Sequence, residues 1–90
     1  MPITKDDIQK ALRIKRCVNE CFGYHNVSKV QAKELMPDFI KSGIFNANHQ
    51  DGLPIRDFLR KLDEENHLHL IPQLHAERNG AITNWYFIQK

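Results

Sequence analysis

Two groups of side chains have the types and spacing to bind a metal. Cys17, Cys21 and His25 follow a C-x₃-C-x₃-H pattern. Two thiolates and an imidazole can hold zinc, but a structural site needs a fourth ligand and usually a tighter, loop-borne cysteine pair. His49 is a candidate fourth ligand. The competing reading is a pair of reduced, buried thiols, since helical residues at this spacing rarely reach disulfide geometry and free cysteine is often buried. His67, His69 and His75 fall on one strand parity, the layout of a three-histidine site. They equally suit the polar, pH-responsive face of a half-exposed hairpin with Leu68, Leu70 and Leu74 turned inward. In both cases we expect no metal. Asp63, Glu64 and Glu65 read as the charged end of a helix rather than a paired acid and base. The chain has no glycine-rich phosphate loop, nucleophile elbow or HExxH motif, so neither an enzyme nor a cofactor is expected.

Charge is the other resource. Arg56 and Arg60 lie four apart on one helix face, opposite Phe58 and Leu59, with Lys61 beside them. Lys10, Arg13, Lys15 and Arg16 form the densest basic cluster and read mainly as a solvated helix face. Thirteen Lys and Arg against eleven Asp and Glu leave a net charge of +2, short of the balance that implies nucleic-acid binding on charge alone. Trp85, Tyr86, Phe87 and Ile88 are apolar on both strand parities. One pair is expected in the core, and the other against the first helix or in a subunit contact.

The elements that must position these groups are readable from the pattern. A first helix is expected from Thr4 to Phe22, with Thr4 as N-cap and Asp6 and Asp7 against the dipole. Its apolar stripe is Ile8, Ala11, Leu12, Val18, Cys21 and Phe22, flanked by Ile14 and Cys17, and Gly23 ends it. Ser28 to Gln31 has capping-box spacing and opens a second helix carrying Val30, Ala32, Leu35 and Met36. Pro37 kinks or restarts that helix, and Gly43 stops it. After a polar loop, Pro54 begins a third helix to Glu65, with Ile55, Phe58, Leu59 and Leu62 buried and Asn66 past its end. From His67 the period falls to two, giving an extended run to His75. Asn79-Gly80 then predicts a hairpin turn before a strand from Ile82 to Ile88.

Ninety residues suit one domain, residues 1–90, that buries about 64% of its unfolded surface. Apolar residues at 41% and charged residues at 27% are globular proportions. No apolar run reaches membrane-spanning length, and the N-terminus has no signal-peptide core, so a cytoplasmic location is expected.

This order, helix, capped helix, helix and C-terminal hairpin, resembles a winged helix-turn-helix domain. The residues that carry the resemblance are Val27-Ser28-Lys29-Val30-Gln31-Ala32-Lys33-Glu34-Leu35, the Pro54–Glu65 helix in the recognition position, and Leu68 to Ile88 as the wing. It implies an α+β fold of three main helices with a C-terminal β-hairpin. It also implies double-stranded DNA as the ligand of a small regulator, or of the DNA-binding part of a larger system. Arg56, Arg60 and Lys61 would act from the third helix, and Arg78 and Asn79 from the wing, with Gln73 and His75 in reserve. The alternative is a winged-helix protein-interaction module without nucleic acid. Three cations against four carboxylates on the third helix, and the aromatic last strand, favour that alternative.

Overall fold

A computed structural model describes residues 3–25, 28–47 and 52–89. Helix α1 spans Lys5–His25. Its start is a reciprocal cap: the Asp7 amide donates to Thr4 Oγ1 at 3.2 Å, and the Thr4 amide donates to Asp7 Oδ2 at 3.0 Å. The buried stripe is Ala11, Ile14, Cys17, Val18, Cys21 and Phe22. Leu12, expected inside, is 46% exposed, while Ile14 is fully buried. The stripe is therefore rotated toward the two residues first read as its flank. Gly23 does not end the helix, which runs two residues further to His25.

The largest departure follows. Ser28 caps no helix. Lys29–Gln31 forms a short strand, β1, antiparallel to the last strand, with Val30 opposite Phe87. The Ser28 carbonyl accepts the Gln89 amide at 2.9 Å, so long-range pairing outcompetes the local cap. The capping box moves three residues on, where the Gln31 amide donates to Glu34 Oε2 at 3.0 Å. A 3-10 turn over Ala32–Leu35 then leads into α2, Met36–Lys41. Pro37 lies in the first turn of α2, where its missing N–H costs nothing, so it starts this helix instead of kinking it. Gly43, at φ +77°, closes α2: its amide reaches the Ile40 carbonyl at 3.0 Å, and the Ile44 amide reaches Phe39 at 2.9 Å, the paired bonds of a Schellman end.

Helix α3 spans Leu53–Glu64 and buries Ile55, Phe58, Leu59 and Leu62, as its spacing predicts. Asn66, at φ +58°, ends it in the same way, with the His67 amide on the Leu62 carbonyl at 2.8 Å. The alternating run after it is not a strand. Leu68–Leu70 is a 3-10 turn, Ile71 is buried where the alternation placed an outward residue, and β2 begins only at Leu74. Four alternating residues followed by a proline were too short a signal to separate a strand from a turn.

Strands β2, Leu74–Asn79, and β3, Ile82–Ile88, form the expected hairpin, but its two-residue loop is Gly80-Ala81, one position beyond the Asn79-Gly80 pair, and Asn79 pairs with Ile82. Among the described two-residue loop positions only Gly80 has positive φ, as a type II′ turn requires. The sheet order is β1-β3-β2, so a third strand joins the expected two. The inner face presents Val30, Phe87, Leu74, Trp85 and Ala76 to one continuous apolar core shared with all three α-helices. Phe39 meets both Phe87 and Phe45 edge-on at 6.1 Å. The result is an α+β, winged-helix-like layout.

Gly52 locks α3 against the 3-10 turn after β1. Its φ is +86°, and a Cβ there would stand 2.5 Å from the Lys33 Cβ and 3.0 Å from its Cα. Gly52→Ala should therefore destabilise the protein by more than about 1 kcal/mol in urea unfolding. Gly23→Ala, on an exposed helix turn with open space, should stabilise it by about 0.5–1 kcal/mol. Equal effects from the two would contradict the packing of α3.

Candidate functional site

Of the five residues implicated by the resemblance, Arg60 lies on the outer face of α3 and Arg78 and Asn79 on the hairpin beside it. Arg60 and Asp57 are both more than half exposed, with Nη1 3.6 Å from Oδ1. Lys61 does not point outward with them. Its Nζ lies 2.8 Å from Asp7 Oδ2, clasping α3 to the start of α1. Arg78 shares its strand parity with Leu74 and Ala76, so it leaves the hairpin on the side of α3, and its Nη2 lies 2.8 Å from Asp63 Oδ1. Asn79 is exposed at the end of β2. Arg56 is half-buried and stands apart from Arg60, on the wall of a cleft with Lys33, Asn84 and Trp85. Helical spacing put Arg56 and Arg60 on one face; packing against the turn after β1 divides their surroundings.

The remaining candidates disperse as well. Gln73, expected on the wing surface, is buried, and its amide nitrogen donates to Asn19 Oδ1 on α1. His75 is exposed on β2 opposite Tyr86. His67 and His69 instead belong to the turn after α3, with their rings stacked at 5.8 Å and His67 Nδ1 donating to the Glu65 carbonyl. The three histidines thus share no strand. His49 and the side chain of His25 lie outside the described residues. Among the described residues no three His, Cys, Asp or Glu side chains gather in a metal-binding group.

Cys17 and Cys21 are buried, with their sulfurs 4.0 Å apart and Cys17 Sγ 3.7 Å from Ser42 Oγ. Burial pushes the Cys21 thiol up to about 12, with further upward pressure from Cys17 and Asp38. A group held as the neutral thiol is a poor nucleophile and a poor metal ligand.

Two members of the basic cluster of α1, Lys10 and Arg13, have structural duties. Arg13 Nη2 donates to the Ser42 carbonyl at 2.9 Å, placing a cation at the end of α2. Lys10 Nζ lies over the Phe45 and Phe58 rings at 4.6 and 5.5 Å. In the last strand, Trp85 and Phe87 are buried, whereas Tyr86 and Ile88 are half-buried. Lys29 Nζ sits 4.4 Å from the Tyr86 ring centroid, so that ring too has a partner.

One feature escaped sequence reading. Strand β1 stops opposite Tyr86, leaving Ile82 to Trp85 of β3 beside the cleft that Arg56 and Lys33 line. A three-residue strand carries too little periodicity to announce itself. Searches against protein-family models, curated proteins and solved structures match nothing to this chain. Among the described residues no helix is long and apolar enough to cross a membrane.

Two outcomes follow from these contacts. The hydrogen bond from Lys61, then that from the Thr4 backbone, hold the Asp7 carboxyl below the usual carboxylate range. A lowered folded value means the ionised Asp7 contributes stability fully above its unfolded value, about 3.9. That contribution is lost as pH falls through the folded value. Asp7→Asn should lower the melting temperature near neutral pH, and the gap from the parent should close in acid. A gap that is constant down to about pH 2 would exclude the clasp. At about pH 8, iodoacetamide should label Cys21 orders of magnitude more slowly in the folded protein than in guanidinium. Equal rates would mean that the thiol is not buried.

Proposed function

We propose that this chain is a protein-interaction module built on a winged-helix-like frame. The charge balance of the α3–hairpin face carries the reading. Arg60 and Arg78 stand with Asp57, Asp63 and Glu64, two cations with three carboxylates, and Lys61 is paired with Asp7. Affinity for duplex DNA comes largely from neutralising phosphates and releasing counterions, which requires a positive surplus. This face has none. Exposed ion pairs are worth only about 0–1 kcal/mol, so the arginines can leave their partners. The carboxylates nevertheless stay within the same surface and repel a phosphate backbone.

Double-stranded DNA is the second reading. It is favoured by the placement of α3 beside the hairpin and by the reach of Arg60 and Arg78, whose side chains are 61% and 54% exposed. In that case the chain is a small transcriptional regulator or the DNA-binding part of a larger system.

Fluorescence anisotropy with a generic duplex over a salt series separates the two. The interaction reading expects no binding tighter than non-specific levels, about 10⁻⁴–10⁻⁶ M, and no loss of affinity on Arg60→Ala/Arg78→Ala. Tighter binding whose log K falls with log salt at a slope of about −0.9 per phosphate contact would overturn it in favour of DNA, provided the slope flattens in the folded double variant.

A further inference from the structure

We propose that the cleft beside β3 takes an extended, acidic segment of a partner protein as an added strand. This rests on the protein-interaction reading and names its site. The main-chain pattern identifies the edge. The Ile88 amide donates across to Gln73, on the β2 side, at 2.8 Å, and the Gln89 amide donates to Ser28, on the β1 side, at 2.9 Å. Main-chain groups alternate sides along an antiparallel strand, so Thr83 turns its N–H and C=O toward the β1 side. Strand β1 ends opposite Tyr86, and among the described residues no strand lies beside Ile82 to Trp85 there. A cleft of about 270 Å³ occupies that position. An edge of this kind is a template for strand addition, in which backbone bonds supply affinity and alternate side chains supply specificity.

The chemistry of the walls selects the occupant. Lys33 rises from the turn that follows β1 and Arg56 from α3, and no Asp or Glu lines the cleft among the described residues. Both cations also hold contacts within the chain. Gly52 packs directly on the Lys33 backbone and sets the distance between those two elements. Ile82 is 64% exposed at the open end, an apolar contact for one side chain of the incoming strand. A lysine beside an edge also discourages pairing between identical copies. A second copy would bring the same two cations and the same net charge of +2 to the contact. A carboxylate-bearing partner strand meets the cations instead of duplicating them.

The test is an amide-detected NMR titration of the whole chain with an end-blocked Val-Glu-Val-Glu-Val-Glu peptide. Shifts at Ala81, Thr83 and Trp85 are expected at or below about 1 mM peptide, the weak end of specific association. Methylating alternate peptide nitrogens keeps the charge but removes strand hydrogen bonds, and should weaken binding about fivefold. Lys33→Glu retains the Cβ on which Gly52 packs, and should weaken binding about threefold while leaving the core resonances in place. No shift at these amides, or equal affinity for the methylated peptide or for Val-Lys-Val-Lys-Val-Lys, overturns the proposal. The same shifts produced by inorganic phosphate at matched ionic strength, or by duplex DNA, overturn it in favour of a free anion or nucleic acid. Salt-sensitive duplex binding removes the interaction reading itself. Absent peptide shifts without duplex binding remove only the β3 edge as its site.

Discussion

The structure turns on Phe87. It is fully buried in the middle strand of the sheet, with Val30 of β1 on one side, Leu74 of β2 on the other and the edge of the Phe39 ring above it. Burying such a ring is worth about 1.5–3 kcal/mol, and the edge-on contact about 0.5–1.5 kcal/mol more. Its larger effect is on register. A one-residue slip of β3 would turn Phe87 and Trp85 to solvent and bring Tyr86 and Asn84 inward. Both neighbouring strands take their alignment from that choice, and so does the direction in which Thr83 offers its backbone. α2 is held over the sheet by the same contact, because Phe39 is its buried anchor.

Chain reversals supply the second constraint. α2 and α3 end in the same way, with a residue in the left-handed region and two backbone bonds that satisfy the last carbonyls. At Gly43 a glycine accepts that conformation at no steric cost, and at Asn66 an asparagine accepts it at little. Gly52 differs, since conformation and space both demand it. Lys33 approaches so closely that α3 could not sit at its present distance from the turn after β1 with any side chain there. That distance sets the width of the cleft between Arg56 and β3, and so ties the fold to the candidate site.

The charged residues mainly connect elements. Lys61 joins α3 to α1, Arg78 joins the hairpin to α3, Arg13 joins α1 to the end of α2, and Lys10 covers two aromatic rings. Four of the most conspicuous cations in the sequence are thus spent on the chain's own carboxylates, carbonyls and rings. A list of basic residues on a helix and a wing overstates the positive surface available to a partner, because it is blind to the acids brought in from elsewhere. Asp7 is the clearest example, lying 54 positions before Lys61 in sequence and 2.8 Å from it in space.

Local chemistry alone determined much of this protein. The α3 stripe, Asn66 at its end, the Thr4 start of α1, Gly43 and the hairpin around Gly80 were all legible, because each depends on residues within a turn or two of one another. The helix-then-hairpin order, and hence the α+β class, followed from those signals. What the tertiary structure decided depends on contacts distant in the chain. Ser28 to Gln31 carries a helix-cap spacing yet joins a sheet, because backbone pairing with Phe87 and Gln89 and partial burial of Val30 against the core outweigh one capping bond. Leu68 to Leu70 alternates like a strand yet turns, and Ile71, at a position the alternation turns outward, is buried in the core. Leu12 and Ile14 exchange places because the core touches α1 at an angle that periodicity alone does not specify. The candidate site was hidden for the same reason: Lys33, Arg56 and Thr83 come from three separate elements, and only packing around Gly52 brings them to one cleft.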